Sequence, residues 1–97
     1  MRIIAKSTLR NFWEKYPDAE QPLKAWHDEA KKAKWSNFQD IKKQFKSASI
    51  VGNDRVVFNI KGNHYRLIVL ILFRKGKIFI RFVGTYSEYD KVDAKNI

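Results

Sequence analysis

The second half of the chain carries arginines at positions that alternate with apolar side chains. Arg55, Arg66 and Arg81 each belong to a segment in which every second residue is apolar or aromatic, the pattern of a half-buried β-strand. A guanidinium group binds a phosphate through two parallel hydrogen bonds, and its plane stacks on nucleobases. These residue types at this spacing therefore indicate a surface that binds phosphate groups. The predicted strands that carry them are Arg55–Ile60, His64–Arg74 and Lys77–Val83.

The turns between these strands determine which residues share a face of the predicted sheet. We expect two-residue turns at 62–63 and 75–76, each with a glycine where a positive φ is needed. The resulting predicted pairs are Asn59 with Arg66 and Leu70 with Arg81. One face then collects only apolar and aromatic side chains, and we expect helices to pack on it. Its members are Val56, Phe58, Ile60, Tyr65, Leu67, Val69, Ile71, Phe73, Ile78, Ile80 and Phe82.

The opposite face of the predicted sheet, which we call the outer face, is mixed in character. A solvated face would hold fewer apolar residues, and a buried face would not hold three arginines. Such a mixture is typical of a groove for single-stranded RNA. Two alternatives remain open, because arginines also keep sheet edges soluble or bind an acidic protein. The residues of this face are Arg55, Asn59, His64, Arg66, Lys77 and Arg81, with Val57, Ile68, Leu70, Leu72, Phe79 and Val83.

The first half of the chain predicts the helices that must support this sheet. A short first strand at residues 2–5 is followed by three segments with apolar side chains at helical spacing. Ser7, Asp18 and Ser36 are the predicted N-cap residues, and the second helix is expected to end near Ala33. Because helices come first and strands follow, the order favours the α+β class over alternating α/β.

The composition limits the classes of protein that fit the chain. Its 97 residues predict a single domain, residues 1–97, and its net charge of +10 favours a polyanionic partner. There is no cysteine, and the two histidines lack metal-ligand spacing, so we expect neither a metal nor a cofactor. The longest apolar run, 67–73, is far shorter than the roughly 20 residues of a membrane helix. We therefore expect a soluble cytoplasmic protein without a membrane role.

Two segments resemble the HigB toxins of type II toxin–antitoxin modules, within the wider RelE/ParE-like group. The first, 54–68, contains the string 58–63 followed by Arg66, and the second, 78–92, contains Gly84-Thr85 before Glu88-Tyr89-Asp90. The overall length also fits the family. The resemblance implies a RelE-like fold in which N-terminal helices pack on one face of a mainly antiparallel twisted sheet.

The same resemblance implies an activity and a set of partners. The expected function is an mRNA endoribonuclease that acts on the ribosome, inhibits translation and needs no metal. A HigA-type antitoxin with a helix-turn-helix domain would silence it, and operator DNA would be met only through that antitoxin. Two other functions stay open: a non-catalytic RNA-binding or ribosome-binding module, and a ParE-like inhibitor of DNA gyrase.

Family roles transfer only to positions of this sequence that match the family's motifs, and the remaining candidates come from the predicted outer face. In such cleavage the RNA 2′-OH attacks the adjacent phosphorus, and guanidinium groups neutralise the charge that develops on the phosphate oxygens. The expected catalytic residues are Arg66, Arg81 and Tyr86. The expected RNA contacts are Arg55, Asn59, Lys61, Asn63, His64, Lys77, Thr85, Tyr89 and Lys91.

One departure from the family's pattern concerns proton transfer. The family commonly has histidine after the Gly-Thr pair, where this chain has Tyr86. A histidine with a reference pKa of about 6.5 exchanges protons near neutrality, whereas a phenol at about 10 mostly stays protonated. Tyr86 is therefore the first candidate for the proton donor, and two alternatives stay open: a role as a stacking ring, and an activity below that of the histidine-bearing relatives. The proton acceptor remains open between His64, Glu88 and, as a weaker choice, Lys61.

Overall fold

The computed structural model describes residues 1–97 and confirms the predicted α+β class. Three α-helices lie between a short first strand and the other four strands, and a fourth, short helix follows the last strand. The elements are β1 (Arg2–Ile4), α1 (Lys6–Lys15), a 3₁₀ turn (Pro17–Ala19), α2 (Glu20–Lys32), α3 (Phe38–Gln44), β2 (Ser49–Gly52), β3 (Arg55–Ile60), β4 (Tyr65–Leu72), β5 (Lys77–Thr85) and α4 (Tyr86–Tyr89). No helix combines the length and the apolar character that crossing a membrane requires.

The five strands form one sheet in the order β1-β5-β4-β3-β2. Strand β1 is parallel to β5, and every other neighbouring pair is antiparallel, which confirms the mainly antiparallel sheet that the resemblance implied. Strand β2 is not among the strands predicted from the sequence. It joins β3 through a turn at Asn53 and Asp54, whose φ angles of 51° and 62° are left-handed. Asparagine and aspartate tolerate that conformation better than other non-glycine residues.

The helices pack on one face of the sheet through large apolar side chains. Leu9 of α1 and Leu23 of α2 are fully buried, and the Trp26 ring meets Phe58 of β3 edge-on with 5.3 Å between ring centres. Burial of each such side chain stabilises the fold by about 1.5–3 kcal/mol. Ten of the eleven residues predicted for this face pack in or against the core: Val56, Phe58, Ile60, Tyr65, Leu67, Val69, Ile71, Phe73, Ile78 and Ile80.

The predicted helix caps are largely wrong. The helix expected to begin at Ser7 has no side-chain cap, and the cap predicted at Ser36 lies one residue later, at Asn37. The side chain of Asn37 accepts a hydrogen bond of 3.0 Å from the third residue after it. Asp18 lies within the 3₁₀ turn and caps no helix; its carboxylate instead accepts a hydrogen bond from Lys61. A tertiary partner has replaced the local role that the sequence pattern suggested. The second helix ends at its C-cap Ala33, as predicted.

The register between β3, β4 and β5 is only partly as predicted. Asn59 pairs with Arg66, which confirms the first predicted pair. Leu70 pairs with Phe79, so its predicted pairing with Arg81 is wrong. The cause is the position of the turn between β4 and β5: the Gly76 amide donates to the Phe73 oxygen at 3.1 Å, so the turn is centred on residues 74–75 and the prediction of 75–76 is wrong by one residue.

A β-bulge at Arg81 changes the faces of the residues that follow it. The register shifts so that Ile80 pairs with Val69 and Phe82 with Ile68, which leaves Arg81 without a paired residue. Phe82 therefore lies on the outer face and Val83 packs against the core, the reverse of the prediction for both residues. A bulge inserts one extra residue and re-aims the side chains beyond it. As a result, Gly84 near the end of β5 pairs with Arg66 of β4.

Candidate nucleic-acid interface

Arg66 lies beside two tyrosine rings at one end of the sheet. The central guanidinium carbon of Arg66 is 4.8 Å from the centre of the Tyr86 ring and 5.7 Å from that of Tyr89. Its Nη1 donates a hydrogen bond of 3.0 Å to the main-chain oxygen of Asn63. Half of the Tyr86 surface is exposed. We call Arg66, Tyr86 and Tyr89 the Arg66–tyrosine cluster. It combines a cation with one exposed and one partly buried ring, and cations beside aromatic rings are what single-stranded nucleic acids bind.

The short helix α4 is fixed in place by a reciprocal cap. The Thr85 hydroxyl accepts a hydrogen bond of 3.2 Å from the Glu88 amide, and the Thr85 amide donates one of 2.9 Å to the Glu88 carboxylate. The amide of Tyr86 also donates to the main-chain oxygen of His64 at 3.2 Å. Because a four-residue helix has little stability of its own, these contacts determine where both tyrosines lie.

Gly84 allows β5 and α4 to approach closely. It pairs with Arg66 and is buried, and the Phe82 ring lies directly over it. A Cβ atom at this position would lie 2.9 Å from Phe82 Cε2, closer still to Cζ, and 3.2 Å from the Cβ of Glu88. Any larger residue must therefore displace the ring or the helix.

The substitution Gly84→Ala is expected to destabilise the protein and to move α4 away from Arg66. Overpacking of this kind lowers the free energy of unfolding by about 1–3 kcal/mol, which lowers the melting temperature of a chain this size by at least about 4 °C. Calorimetry of Gly84→Ala measures the effect. The control places Gly84→Ala in a Phe82→Ala background, where the added methyl group has space. An equal loss in both backgrounds would contradict the clash.

The carboxylate of Glu88 is engaged in the cap. The backbone amide of Thr85 that donates to this carboxylate lowers the pKa of Glu88, despite a smaller opposing effect of burial. A carboxylate with a lowered pKa is a weaker base, so this contact argues against Glu88 as the proton acceptor.

The imidazole of His64 is oriented by the turn between β3 and β4. Its Nδ1 lies 2.9 Å from the main-chain oxygen of Lys61, and the side chain is exposed. A carbonyl oxygen only accepts, so Nδ1 must carry the hydrogen in this contact. In the neutral ring, Nε2 then has the free lone pair. The ring of His64 thus offers Nε2 as a proton acceptor, and the main-chain oxygen of the same residue accepts the hydrogen bond from the Tyr86 amide.

Arg55 and Arg81 form a second cluster on the outer face. Both donate to the main-chain oxygen of Ile97, Arg55 through Nε at 3.2 Å and Nη2 at 2.8 Å, and Arg81 through Nε at 3.2 Å. Val57 and Ile68 belong to this face, yet only 3% and 0% of their surfaces are exposed. The outer face is therefore covered in this region and is not the continuous open groove that the sequence suggested.

The remaining predicted RNA contacts lie at different distances from the Arg66–tyrosine cluster. Asn59 pairs with Arg66, and Lys91 follows α4 directly. The Nζ of Lys61 is bound by Asp18 at 2.7 Å, on the helical side of the sheet. Lys77 begins β5, and at about 3.3 Å per residue it lies roughly 30 Å along the chain from the start of α4. The structure thus brings Asn59, Asn63, His64, Thr85, Tyr89 and Lys91 to the end of the sheet where Arg66 and Tyr86 lie, and leaves Lys77 at the other end.

Sequence reasoning missed the role of Asp18. Its carboxylate accepts hydrogen bonds from both Lys61 and the hydroxyl of Tyr65. The Lys61 hydrogen bond, followed by that of Tyr65, lowers the pKa of Asp18. The same contact with Asp18, together with burial, raises the pKa of Tyr65 to about 12. No local pattern signals these contacts, because the partners are more than 40 residues apart.

None of the surface cavities includes the Arg66–tyrosine cluster. One cavity, of about 480 Å³, lies near His27 and Lys31, and another, of about 430 Å³, lies beside Phe73 and Arg74. No three histidine, aspartate or glutamate side chains come together where they could hold a metal ion. Small ligands are usually bound in enclosed pockets, whereas polymers bind along exposed surfaces. The cluster is therefore suited to a polymer.

The protein has helices on one face of a mainly antiparallel sheet and an arginine–tyrosine surface on the other. This arrangement places it in the RelE-like class. A sequence model of the HigB_toxin family, described as the RelE-like toxic component of a toxin–antitoxin system, matches residues 19–92. The chain therefore belongs to the HigB toxin family, which confirms the resemblance noted in the sequence. Membership implies an antitoxin as partner.

Individual relatives match nearly the whole chain. The sequence is 30% identical over 92 residues to the mRNA interferase toxin HigB of Escherichia coli strain K12, covering 93% of this chain and 88% of that protein. The mRNA interferase HigB of Shigella flexneri gives the same values. The mRNA interferase HigB of Escherichia coli O6:H1 is 26% identical over 94 residues, which cover 95% and 91% of the two chains.

Proposed function

We propose that the protein is a toxin that cleaves mRNA at the Arg66–tyrosine cluster. The observation that carries this proposal is the guanidinium of Arg66 beside two tyrosine rings, 4.8 Å and 5.7 Å from their centres. The cation binds the scissile phosphate while the rings stack on the flanking bases. The names of the relatives, all mRNA interferases, support the same reaction.

The proposed reaction is an internal transesterification that needs no metal. The 2′-oxygen attacks the adjacent phosphorus, the bond to the 5′-oxygen breaks, and the products are a 2′,3′-cyclic phosphate and a 5′-hydroxyl. Arg66 neutralises the negative charge that builds on the phosphate oxygens in the transition state. Nε2 of His64 accepts the proton of the 2′-OH, and the Tyr86 hydroxyl donates a proton to the departing 5′-oxygen.

His64 is the best placed of the three candidate acceptors. Glu88 is occupied by the cap of α4, and the ammonium of Lys61 is bound by Asp18. His64 has Nδ1 against a carbonyl oxygen, and its own main-chain oxygen accepts from Tyr86. The proposed acceptor and donor are thus linked through one backbone hydrogen bond.

The other outer-face residues serve RNA binding in this proposal. Asn59, Asn63, Thr85, Tyr89 and Lys91 surround the cluster, and Lys77 contacts the RNA backbone farther along the strand. Arg55 and Arg81 act once RNA displaces the Ile97 main-chain oxygen from them, and for this reason Arg81, a catalytic candidate from the sequence, is assigned to RNA binding in this proposal. The mRNA is bound on the ribosome in the cytoplasm, and a HigA-type helix-turn-helix antitoxin is the silencing partner.

Mapping of cleavage products tests this function. Purified protein is incubated with a defined mRNA, free or on ribosomes, and the new ends are located by primer extension and analysed chemically. We expect internal cuts with a 2′,3′-cyclic phosphate and a 5′-hydroxyl. RNA that is bound but intact would instead identify a non-catalytic binding module. Inhibition of gyrase in a supercoiling assay without any cleavage would point to a ParE-like toxin.

A further inference from the structure

One carboxylate contacts both ends of the turn that joins β3 to β4. Asp18 accepts a hydrogen bond of 2.7 Å from Lys61 Nζ and another from the hydroxyl of Tyr65. Lys61 is the first residue after β3, and Tyr65 is the first residue of β4. Asp18 itself lies in the 3₁₀ turn between α1 and α2, so the helical layer is tied directly to this turn.

The same turn orients the Arg66–tyrosine cluster from its other side. The main-chain oxygen of Asn63 accepts from Arg66 Nη1 at 3.0 Å, and that of His64 accepts from the Tyr86 amide at 3.2 Å. Within the turn, the His64 amide donates to the oxygen of Lys61 at 3.2 Å. A shift of the turn would therefore move the carbonyl groups that orient the arginine and α4.

We propose that Asp18 is a positioning residue of the Arg66–tyrosine cluster, acting through the turn 61–64 that its carboxylate fixes at both ends. The role of Asp18 in cleavage rests on the proposed function, whereas its effect on the turn does not. Cleavage depends steeply on geometry, and a displacement of about 1 Å costs up to about 100-fold in rate.

The two contacts of Asp18 contribute to this role in different ways. Tyr65 is only 6% exposed and packs against Phe12 and Tyr16, with ring centres 5.2 and 5.6 Å away. Without Asp18, the Tyr65 hydroxyl loses its hydrogen-bond partner in this apolar surrounding. Tyr65 also pairs with Thr85, the N-cap of α4, so its movement is transmitted to that helix.

The contact of Asp18 with Lys61, unlike its contact with Tyr65, opposes RNA binding. Asp18 neutralises its ammonium group and keeps it on the helical side of the sheet. Removal of Asp18 releases one cation at the edge of the cluster, where it attracts phosphate. The loss of Asp18 is therefore expected to slow cleavage without weakening RNA binding, a combination that simple unfolding does not produce.

Amide hydrogen exchange of Asp18→Ala tests the turn directly. We expect exchange at His64 and Tyr86 to accelerate at least about tenfold, because their acceptors lie in the turn. The amide of Gly76, which donates to Phe73 in the opposite turn at 3.1 Å, is the internal reference and is expected to stay unchanged. An equal acceleration at Gly76, or none at His64 and Tyr86, would overturn the proposal.

Single-turnover cleavage and RNA affinity then separate positioning from stability. Glu14→Ala is the matched control, since Glu14 is exposed on α1 and makes no side-chain hydrogen bond. We expect Asp18→Ala to cleave at least about tenfold more slowly than Glu14→Ala, with equal or tighter RNA binding. Equal rates for these two variants would refute the positioning role in cleavage. A wild-type protein that cleaves no RNA would refute the proposed function, while the exchange result still decides whether Asp18 fixes the turn.

Discussion

Replacement of Arg66 by alanine is expected to reduce RNA cleavage by about 100- to 1,000-fold and to abolish growth inhibition. The guanidinium is the only cation within stacking distance of both Tyr86 and Tyr89. A donor aimed at charge that develops in the transition state contributes this much to the rate, because it is already oriented when the reaction begins. The fold should survive, since Arg66 is only partly buried and forms no ion pair.

The matched control for Arg66→Ala is Arg74→Ala. Arg74 is exposed in the connection between β4 and β5 and makes no side-chain hydrogen bond, so its removal changes the net charge equally. Cleavage rate, growth inhibition at equal expression and melting temperature are measured for both variants. An Arg66→Ala protein that stays as toxic as Arg74→Ala would show that the phosphate site has been misplaced.

Arg81→Ala is expected to abolish growth inhibition too, but for a different structural reason. Arg81 lies at the bulge, and its Nε donates to Ile97, as do two nitrogen atoms of Arg55. In our proposal Arg81 reaches phosphate only after that contact opens. Its loss should therefore weaken RNA binding, whereas the loss of Arg66 should mainly slow the chemical step. Measurements of affinity and single-turnover rate distinguish the two arginines.

The sequence was sufficient to predict the pairing of β3 with β4 and the face on which the helices pack. A short turn with Gly62 at a φ of 63° sets that register, and strict alternation assigns the faces. The bulge at Arg81 escaped prediction because Phe82 and Val83 are both apolar. Either residue suits the core, so the pattern does not reveal which one faces it.

The contacts that bind the site to the rest of the chain are also absent from any local pattern. Asp18 is 43 residues from Lys61, and Arg55 is 42 residues from Ile97. Asp18 even stands where an N-cap residue would be expected, which gave it a plausible local role. Polar side chains exchange such local partners for tertiary ones when the fold brings a cation close, and only the three-dimensional arrangement decides between them.

Removal of the hydroxyl group in Tyr86→Phe is expected to slow cleavage by about 100-fold or more while RNA binding stays unchanged. The ring remains beside Arg66, so stacking and the cation–π contact persist and only the proposed proton donor is lost. Single-turnover rates and RNA affinities of Tyr86→Phe are compared with those of Tyr89→Phe, which loses a hydroxyl on the same helix. Equal rates in the two variants would mean that Tyr86 serves for stacking alone.

The reverse substitution, Tyr86→His, asks whether the departure from the family's histidine has a cost. An imidazole titrates near neutrality, so it donates a proton to the leaving oxygen more readily than a phenol does at the same pH. Tyr86→His is therefore expected to cleave faster than the wild type and to show a new decline in rate as the pH rises through about 6.5. Unchanged or slower cleavage would indicate that the loss of ring stacking on Arg66 outweighs the better acid, and that α4 is built around the tyrosine.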